Sequence, residues 1–331
     1  MQLESYTMDS RSIFKKMFAA ELEKKEGDVG IRGRDPVIHD LIREIPDSVL
    51  PSILSIFVDQ RYNLESRDLL DETPLSVAAS CLKKNTVTFL IEHKAEINDP
   101  LLPALCAAID TNFLRDKSQL DMAKTLVQHG AAINVQDKWD RSPLICATKR
   151  SCVPIMRFLL SQGASLVLKY TFASGTQFQT AIGIAYDNYI KICDGFKEGH
   201  PYRIKPKKSL DLLTQAAMDY VYRQAVGFNG NDEALKIHLA KCIDDLAGNF
   251  QNCAYPKANS VLLKKYLEKT VLQSALSRIK SEKSKKQEKL EKWRSKEETR
   301  YASSKRTALF GRSKGQQFYG LIEASVRLRH S

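Results

Sequence analysis

The sequence predicts an all-α protein: a solenoid of stacked helical repeats, followed by a helical C-terminal region with a long basic helix. The first observation is internal repetition, because two segments 69 residues apart align without a gap and a third copy lies between them. The second is that apolar residues recur every three or four positions within each copy, as in a helix with one buried face. A single helix pair cannot bury that face alone, so the copies must stack.

Each copy opens with the signature of a helix start. The two aligned copies begin Thr73-Pro74-Leu75 and Ser142-Pro143-Leu144, and the middle copy begins Pro103-Ala104-Leu105. Ser and Thr are preferred N-caps, and proline is tolerated at the first helical position because its missing N–H would have no partner there. Small residues follow, among them Ala78 and Ala147, which predicts a first helix lying close to its neighbours.

A second helix follows within each copy. Ile155 and Leu159 belong to an apolar stripe of helical spacing, and Gly163 supplies the left-handed residue that ends this helix. Gly130 occupies the same position 33 residues earlier. In the first copy the position is taken by Lys94, so that turn either accepts a strained left-handed residue or uses a different cap.

The Thr-Pro-Leu start, the 33-residue spacing and the Leu-Leu-x-x-Gly-Ala step at Leu159 resemble the ankyrin repeat. This resemblance implies helix–turn–helix units joined by hairpin fingers, and protein binding as the function. It extends over three clear and two degenerate repeats. The expected domains are an N-terminal helical or flexible segment (1–33), the ankyrin-repeat solenoid (34–225), a helical cap (226–254) and a basic, partly flexible helical tail (255–331).

The fingers between repeats differ in length. The stretch Asn98–Pro103 is four residues shorter than Asn134–Pro143, which predicts a stunted finger, whereas Ala164–Thr180 is five residues longer than Ala131–Ser142. Irregular loops on one face of a solenoid are a frequent place for binding sites.

Helices are also predicted beyond the last clear repeat. Apolar residues at helical spacing predict one helix from about Ser209 and another marked by Leu235, Ile237 and Leu246, which would cap the solenoid. An apolar face from Leu262 to Ile279 then predicts an amphipathic helix.

The tail carries the excess charge of the chain. From Tyr255 to Ser331 there are 20 Lys and Arg against 7 Asp and Glu, whereas the other residues sum to a net charge of −1. The residues expected to act electrostatically are Lys285, Lys286, Lys292, Trp293, Lys305 and Arg306. Such a tail suits an acidic protein, an anionic membrane or nucleic acid, and the remaining alternative is a solvated helix that only keeps the chain soluble.

Trp139 is the leading candidate for contact with a partner. It lies at the tip of the finger 137–141, away from the helical stripes and beside Arg141, as interface hot spots often do. The candidate binding set is Leu69, Leu70, Lys138, Trp139, Asp140 and Arg141, in which Asp140 tolerates a left-handed conformation better than most residues. The alternative is that Trp139 packs over the long finger Ala164–Thr180.

Composition places the chain among intracellular proteins. Seven cysteines, an odd number without a CxxC pair, favour reduced thiols, and neither a signal peptide nor an apolar run of about 18 residues is recognisable. We therefore expect a cytoplasmic location. Degenerate repeats with an unfamiliar helical tail also resemble the ankyrin-containing effectors that intracellular bacteria deliver into host cells by type IV secretion. That resemblance implies secretion without a signal peptide, with residues 320–331 as a candidate translocation signal.

No catalytic signature is present, whether a phosphate-binding loop, a zinc-protease helix or a nucleophile elbow. A cysteine hydrolase using Cys81 with His93 or Cys242 with His238 is the enzymatic alternative. Buried cysteine acting as a small hydrophobe is the simpler interpretation. The sequence thus predicts a non-enzymatic protein-interaction module without a cofactor, a metal or a small-molecule substrate, and the charge-driven adaptor is the second hypothesis.

Overall fold

A computed structural model describes residues 37–111, 116–171, 178–195, 200–248 and 260–308. The chain divides into two compact units, Met1–Gln273 and Ser274–Ser331. The described part is helical apart from one short hairpin, which confirms the all-α class. The predicted segments 1–33 and 320–331 lie outside the described residues.

The first unit begins with helix pairs in series. Their bounds are α1 Val37–Glu44, α2 Leu50–Asp59, α3 Pro74–Ser80, α4 Lys84–Glu92, α5 Ala104–Ile109, α6 Asp116–Gln128, α7 Pro143–Lys149 and α8 Val153–Ser161. A two-stranded antiparallel hairpin follows, β1 Tyr170–Thr171 paired with β2 Phe178–Gln179. It lies within the long finger that the sequence predicts.

The predicted helix starts are confirmed where the cap residues are Ser or Thr. Thr73 Oγ1 accepts a hydrogen bond from the Ser76 N–H at 3.2 Å, and Ser142 Oγ accepts one from the Ile145 N–H at 3.4 Å. Proline follows the cap in both helices. At the middle copy Pro103 takes the cap position without a side-chain cap, since it has no hydroxyl.

The core of the repeats consists of the first helices and one face of each second helix. Ala78, Cys106 and Ala147 are buried in the first helices, and Leu90, Leu126 and Leu159 are fully buried in the second helices. Small residues in the first helices let the pairs α3–α5 and α5–α7 pack closely.

The rest of the first unit consists of longer helices. They are α9 Ala181–Gly195, a 3₁₀ turn Pro201–Arg203, α10 Ile204–Val226, α11 Asp232–Ala247, α12 Ser260–Leu267 and a π-helical turn Glu268–Leu272. Helix α10 starts five residues before the predicted Ser209. The helix that Leu235, Ile237 and Leu246 mark in the sequence is present as α11, but Ile237 is 69% exposed because the buried face runs through Leu239, Ile243 and Leu246.

The described part of the second unit is one helix, α13, which spans Gln273–Ala308 and so begins one residue before that unit. It lies within the tail 255–331, which the sequence predicts to be helical and partly flexible, and is helical as far as Ala308. Among the described helices, none combines the length and the apolar character needed to cross a membrane.

Candidate protein-binding surface

Two fingers of the first unit share one turn structure. In the finger 68–72, Asp68 Oδ1 accepts hydrogen bonds from the N–H groups of Leu70 (2.8 Å) and Glu72 (3.0 Å). In the finger 137–141, Asp137 Oδ1 does the same for Trp139 (3.0 Å) and Arg141 (2.9 Å). Both aspartates are buried. A carboxylate that satisfies two backbone donors fixes the turn, so the tip residues are presented by a rigid loop.

Arginines form ion pairs with the aspartates of all three fingers. Arg43 of α1 donates to Asp68 Oδ2 at 2.6 Å, and Arg67 donates to both carboxylate oxygens of Asp99 in the middle finger at 2.8 and 3.0 Å. Arg141 pairs with Asp137 inside its own finger and with Asp110 at the end of α5. A chain of ion pairs therefore runs along the fingers from repeat to repeat.

These contacts shift the pKa values of the groups concerned. Burial alone would raise the pKa of Asp68, but the hydrogen bonds from Arg43 and from the two backbone N–H groups outweigh it and hold that pKa below its ordinary value. The pKa of Asp99 is lowered against burial in the same way by Arg67. Glu72 shows the opposite balance, because burial and the neighbouring Asp68 raise its pKa.

The stunted middle finger brings the two outer fingers together. The Lys138 N–H donates to the Leu101 carbonyl at 3.0 Å, and Lys138 Nζ reaches the Leu70 carbonyl at 3.0 Å and the Asp71 carboxylate at 3.8 Å. Lys138 thus spans the short finger and joins one outer tip to the other. We call the tips of the two outer fingers, Leu69, Leu70, Lys138, Trp139, Asp140 and Arg141, the finger surface.

Cations flank the Trp139 ring. Lys138 Nζ lies 4.7 Å and Arg141 Cζ 4.4 Å from the ring centroid, within the range of cation–π interaction. The indole is still 48% exposed. Hydrogen bonds to the long finger come from Gln136, whose amide donates to the Lys169 carbonyl at 3.0 Å, and from Asn134, whose Oδ1 accepts from the Ser165 N–H at 2.8 Å.

Leu69 and Leu70 are 74% and 65% exposed. Asp71 and Asp140 both adopt left-handed backbone conformations, with φ of 64° and 59°. The structure thus connects Leu70 to Lys138 and places Trp139 beside Lys138 and Arg141. Asp140 has the left-handed conformation that aspartate tolerates, whereas the Arg141 side chain is only 13% exposed because it pairs with Asp110 and Asp137.

The sequence analysis missed the residues that support this surface, namely Arg43, Arg67, Asp68, Asp99 and Asp137. A signal was available for two of them, because Asp68 and Asp137 each stand five residues before the cap of the following helix. The partner arginines lie 25 and 32 residues before Asp68 and Asp99, so only the repeat register could have paired them.

The predicted tail residues Lys285, Lys286, Lys292 and Trp293 are exposed along α13. Lys305 and Arg306 belong to the last turns of this helix, where side chains lie outside the described part of the structure. Lys292 pairs with Glu288 at 2.6 Å.

The candidate cysteine–histidine pairs do not have the features of an activated thiol. His238 Nε2 lies 3.9 Å from Cys242 Sγ, but burial and the nearby Asp245 raise the pKa of that thiol, opposite to what a nucleophile needs. His93 stacks on Phe89 and bonds the carbonyl of the same residue at 2.8 Å. Within the described ranges, no group of three His, Cys, Asp or Glu side chains could hold a metal ion. Cys253 lies outside them.

The stacked helix pairs and the rigid exposed loop tips define a class, the helical-repeat proteins that present an interaction surface on their loops. Residues 105–160 match the family model described as ankyrin repeats (many copies). The match supports an ankyrin-repeat family and indicates a protein–protein interaction module. Comparison with curated proteins finds no significant match.

Proposed function

We propose that the protein binds a partner protein through the finger surface. The observation that carries this proposal is that Leu69, Leu70 and Trp139, all strongly exposed, are joined into one surface by the bonds of Lys138 across the short finger. Large apolar side chains exposed together are costly unless another molecule covers them.

The rigidity of the fingers supports the same function. Asp68 and Asp137 hold both turns with paired backbone hydrogen bonds, so little conformational entropy is lost when a partner docks. The cations beside Trp139 suit a partner that offers an apolar pocket for the indole with carboxylates at its rim. The helical-repeat body is the scaffold that positions these tips.

The test starts with the full chain as bait in nuclease-treated cell extract, followed by measurement of the dissociation constant for the retained protein. We expect Trp139→Ala and Leu70→Ala each to weaken binding more than tenfold, because hot-spot truncations cost roughly 2 kcal/mol or more. Ile237→Ala removes an equally exposed side chain from α11 and is the matched control. Unchanged affinity in the doubly substituted, folded chain would contradict the proposal.

We also propose that the protein works in a reducing, cytoplasmic environment, as the composition suggests, and as an effector delivered into a host cell, as the resemblance implies. The support is the number of cysteines and the degenerate repeats. Deletion of residues 320–331 in a translocation reporter tests the second part, and undiminished delivery would contradict a signal in that segment.

A further inference from the structure

A row of basic side chains occupies one face of α13. Its members, Arg278, Lys285, Lys289, Lys292, Lys296 and Arg300, follow one another at steps of seven, four, three, four and four residues. Steps of three, four and seven keep side chains on one side of a helix. At a rise of about 1.5 Å per residue, this basic row is roughly 33 Å long.

The row is open to solvent, and glutamates of the same helix pair with half of its bases: Arg278 with Glu282, Lys292 with Glu288 and Arg300 with Glu297. All six side chains are exposed. Lys285, Lys289 and Lys296 form no ion pair with any residue in the described part of the chain, and Glu282 is the one acidic residue in the row. Bases dominate this face, whereas Glu288, Glu291 and Glu298 project to the sides and back.

An exposed tryptophan borders the basic row. Trp293 follows Lys289 by four residues and precedes Lys296 by three, so the indole stands between these two lysines. Its side chain is 60% exposed, and the neighbouring Leu290 is 42% exposed. Trp293 therefore lies along one edge of the basic row, about 60° around the helix from its middle, and Leu290 lies about 60° further round.

We propose that this face of α13 binds the surface of a bilayer that contains anionic phospholipids. Lys and Arg are attracted to the negative headgroups, and tryptophan side chains are enriched at the interface between headgroups and acyl chains. A straight row of bases on one face matches a flat charged surface. A closed nucleic-acid duplex fits less well, because an indole at the edge of the contact has no unpaired base on which to stack.

The test measures co-sedimentation of the full, nuclease-treated chain with vesicles of phosphatidylcholine alone and with about one third phosphatidylserine. We expect binding only to the anionic vesicles. The triple variant Lys285→Glu, Lys289→Glu, Lys296→Glu should lower the partition coefficient more than tenfold. The matched control, Lys280→Glu, Lys283→Glu, Arg294→Glu, changes the net charge equally on the other side of the helix and should lower it less than threefold.

Tryptophan fluorescence gives a second readout. The chain has two tryptophans, so in the Trp139→Phe variant the emission reports Trp293 alone, and it should shift to the blue when anionic vesicles are added. Equal binding to both kinds of vesicle, equal loss in the two triple variants, or an unshifted emission would each overturn the proposal. Binding to single-stranded DNA without binding to vesicles would assign the row to nucleic acid instead. None of these outcomes depends on the finger surface.

Discussion

Backbone strain at the scale of single residues follows the repeat register. In the described part of the chain, six residues other than glycine have positive φ: Arg61, Asp71, Leu82, Lys94, Asp140 and Ser151. Asp71 and Asp140 are 69 residues apart, as are Leu82 and Ser151, and Arg61 precedes Lys94 by 33. The architecture therefore demands a left-handed residue at fixed positions, and this chain often supplies a side chain where glycine would fit better.

Lys94 tests this interpretation most directly. It is exposed, it has a φ of 69°, and it occupies the turn position that Gly130 and Gly163 hold in the next repeats. A left-handed conformation costs an L-residue about 1–2 kcal/mol, and glycine relieves this strain. Because glycine also loses more conformational entropy on folding, the net effect is smaller, and Lys94→Gly should raise the free energy of unfolding by about 0.5–1 kcal/mol. Urea denaturation followed by circular dichroism measures the change.

Gly163→Ala is the reciprocal variant. A Cβ at Gly163 would meet no atom within 4 Å, so its φ of 86° is the source of any strain. The substitution should destabilise the chain by about 1 kcal/mol. A Lys94→Gly chain that is no more stable than the wild type would mean that the left-handed turn is not strained.

At the scale of elements, the fingers depend on ionised aspartates. The pKa of Asp68 is lowered in the folded chain, so its contribution to stability is complete above the pKa of an unfolded aspartate, about 3.9, and is lost as the pH falls through the lower folded value. Glu65 and Glu72 have raised pKa values, mainly through burial. Their ionisation at higher pH therefore lowers the stability of the folded chain, whereas ionisation of Asp68 raises it. The effect of Asp68 is therefore clearest below about pH 4, where both glutamates are protonated in either state.

We expect Asp68→Asn to lower the free energy of unfolding at pH 7 by about 1–3 kcal/mol, because a hydrogen-bonded ion pair with Arg43 is lost. The amide oxygen can still accept the turn hydrogen bonds. Stability should then fall less steeply below pH 4 than it does in the wild type. Asp140→Asn, a substitution at an exposed position of the other outer finger, is the control. If the stability of Asp68→Asn falls below pH 4 as steeply as that of the wild type, the Asp68–Arg43 pair does not have this role.

The fingers also show which features of the surface can be predicted from the sequence. The caps at Thr73 and Ser142 and the left-handed Asp140 were predictable because each depends on neighbours in sequence. The bridge from Lys138 to Leu70 was not, because it joins residues 68 apart and forms only when the middle finger is short. The prediction left the packing of Trp139 open for the same reason, since the cations beside its ring are set by the fold of the finger.

At the scale of the whole molecule, the periodicity of apolar residues predicted the helices, but it did not predict which helix covers the C-terminal end of the repeats. The sequence predicts one amphipathic helix from Leu262 to Ile279, yet Leu262 is 37% exposed while Leu263, Leu267 and Val271 are fully buried. These three residues recur at intervals of four, and the wider π-helical turn Glu268–Leu272 keeps the last of them on the same side. A search for apolar residues at the α-helical spacing of 3.6 residues per turn does not predict a wider π-helical turn.

Helix α12 packs on the end of the solenoid through specific contacts. The Tyr266 hydroxyl lies 3.2 Å from Thr214 Oγ1 of α10, and its ring lies 5.6 Å from that of Tyr186 in α9. Lys264 pairs with Asp244 of α11. The compact unit ends at Gln273, whereas the predicted tail begins at Tyr255. Truncation can decide where the stable solenoid stops.

A chain ending at Gln273 should keep the stability of the repeats, whereas one ending at Ala254 should not. The shorter chain loses Leu263, Leu267 and Val271, each fully buried, and full burial of such a side chain is worth roughly 1.5–3 kcal/mol. We expect the C-terminal repeats to lose at least about 4 kcal/mol of local stability. Amide hydrogen exchange should show this as faster exchange in α9 to α11, with α3 to α5 unaffected, since repeats couple mainly to their neighbours. Equal protection of α9 to α11 in both chains would mean that α12 is an appendage, and that the solenoid closes at α11 as the sequence predicts.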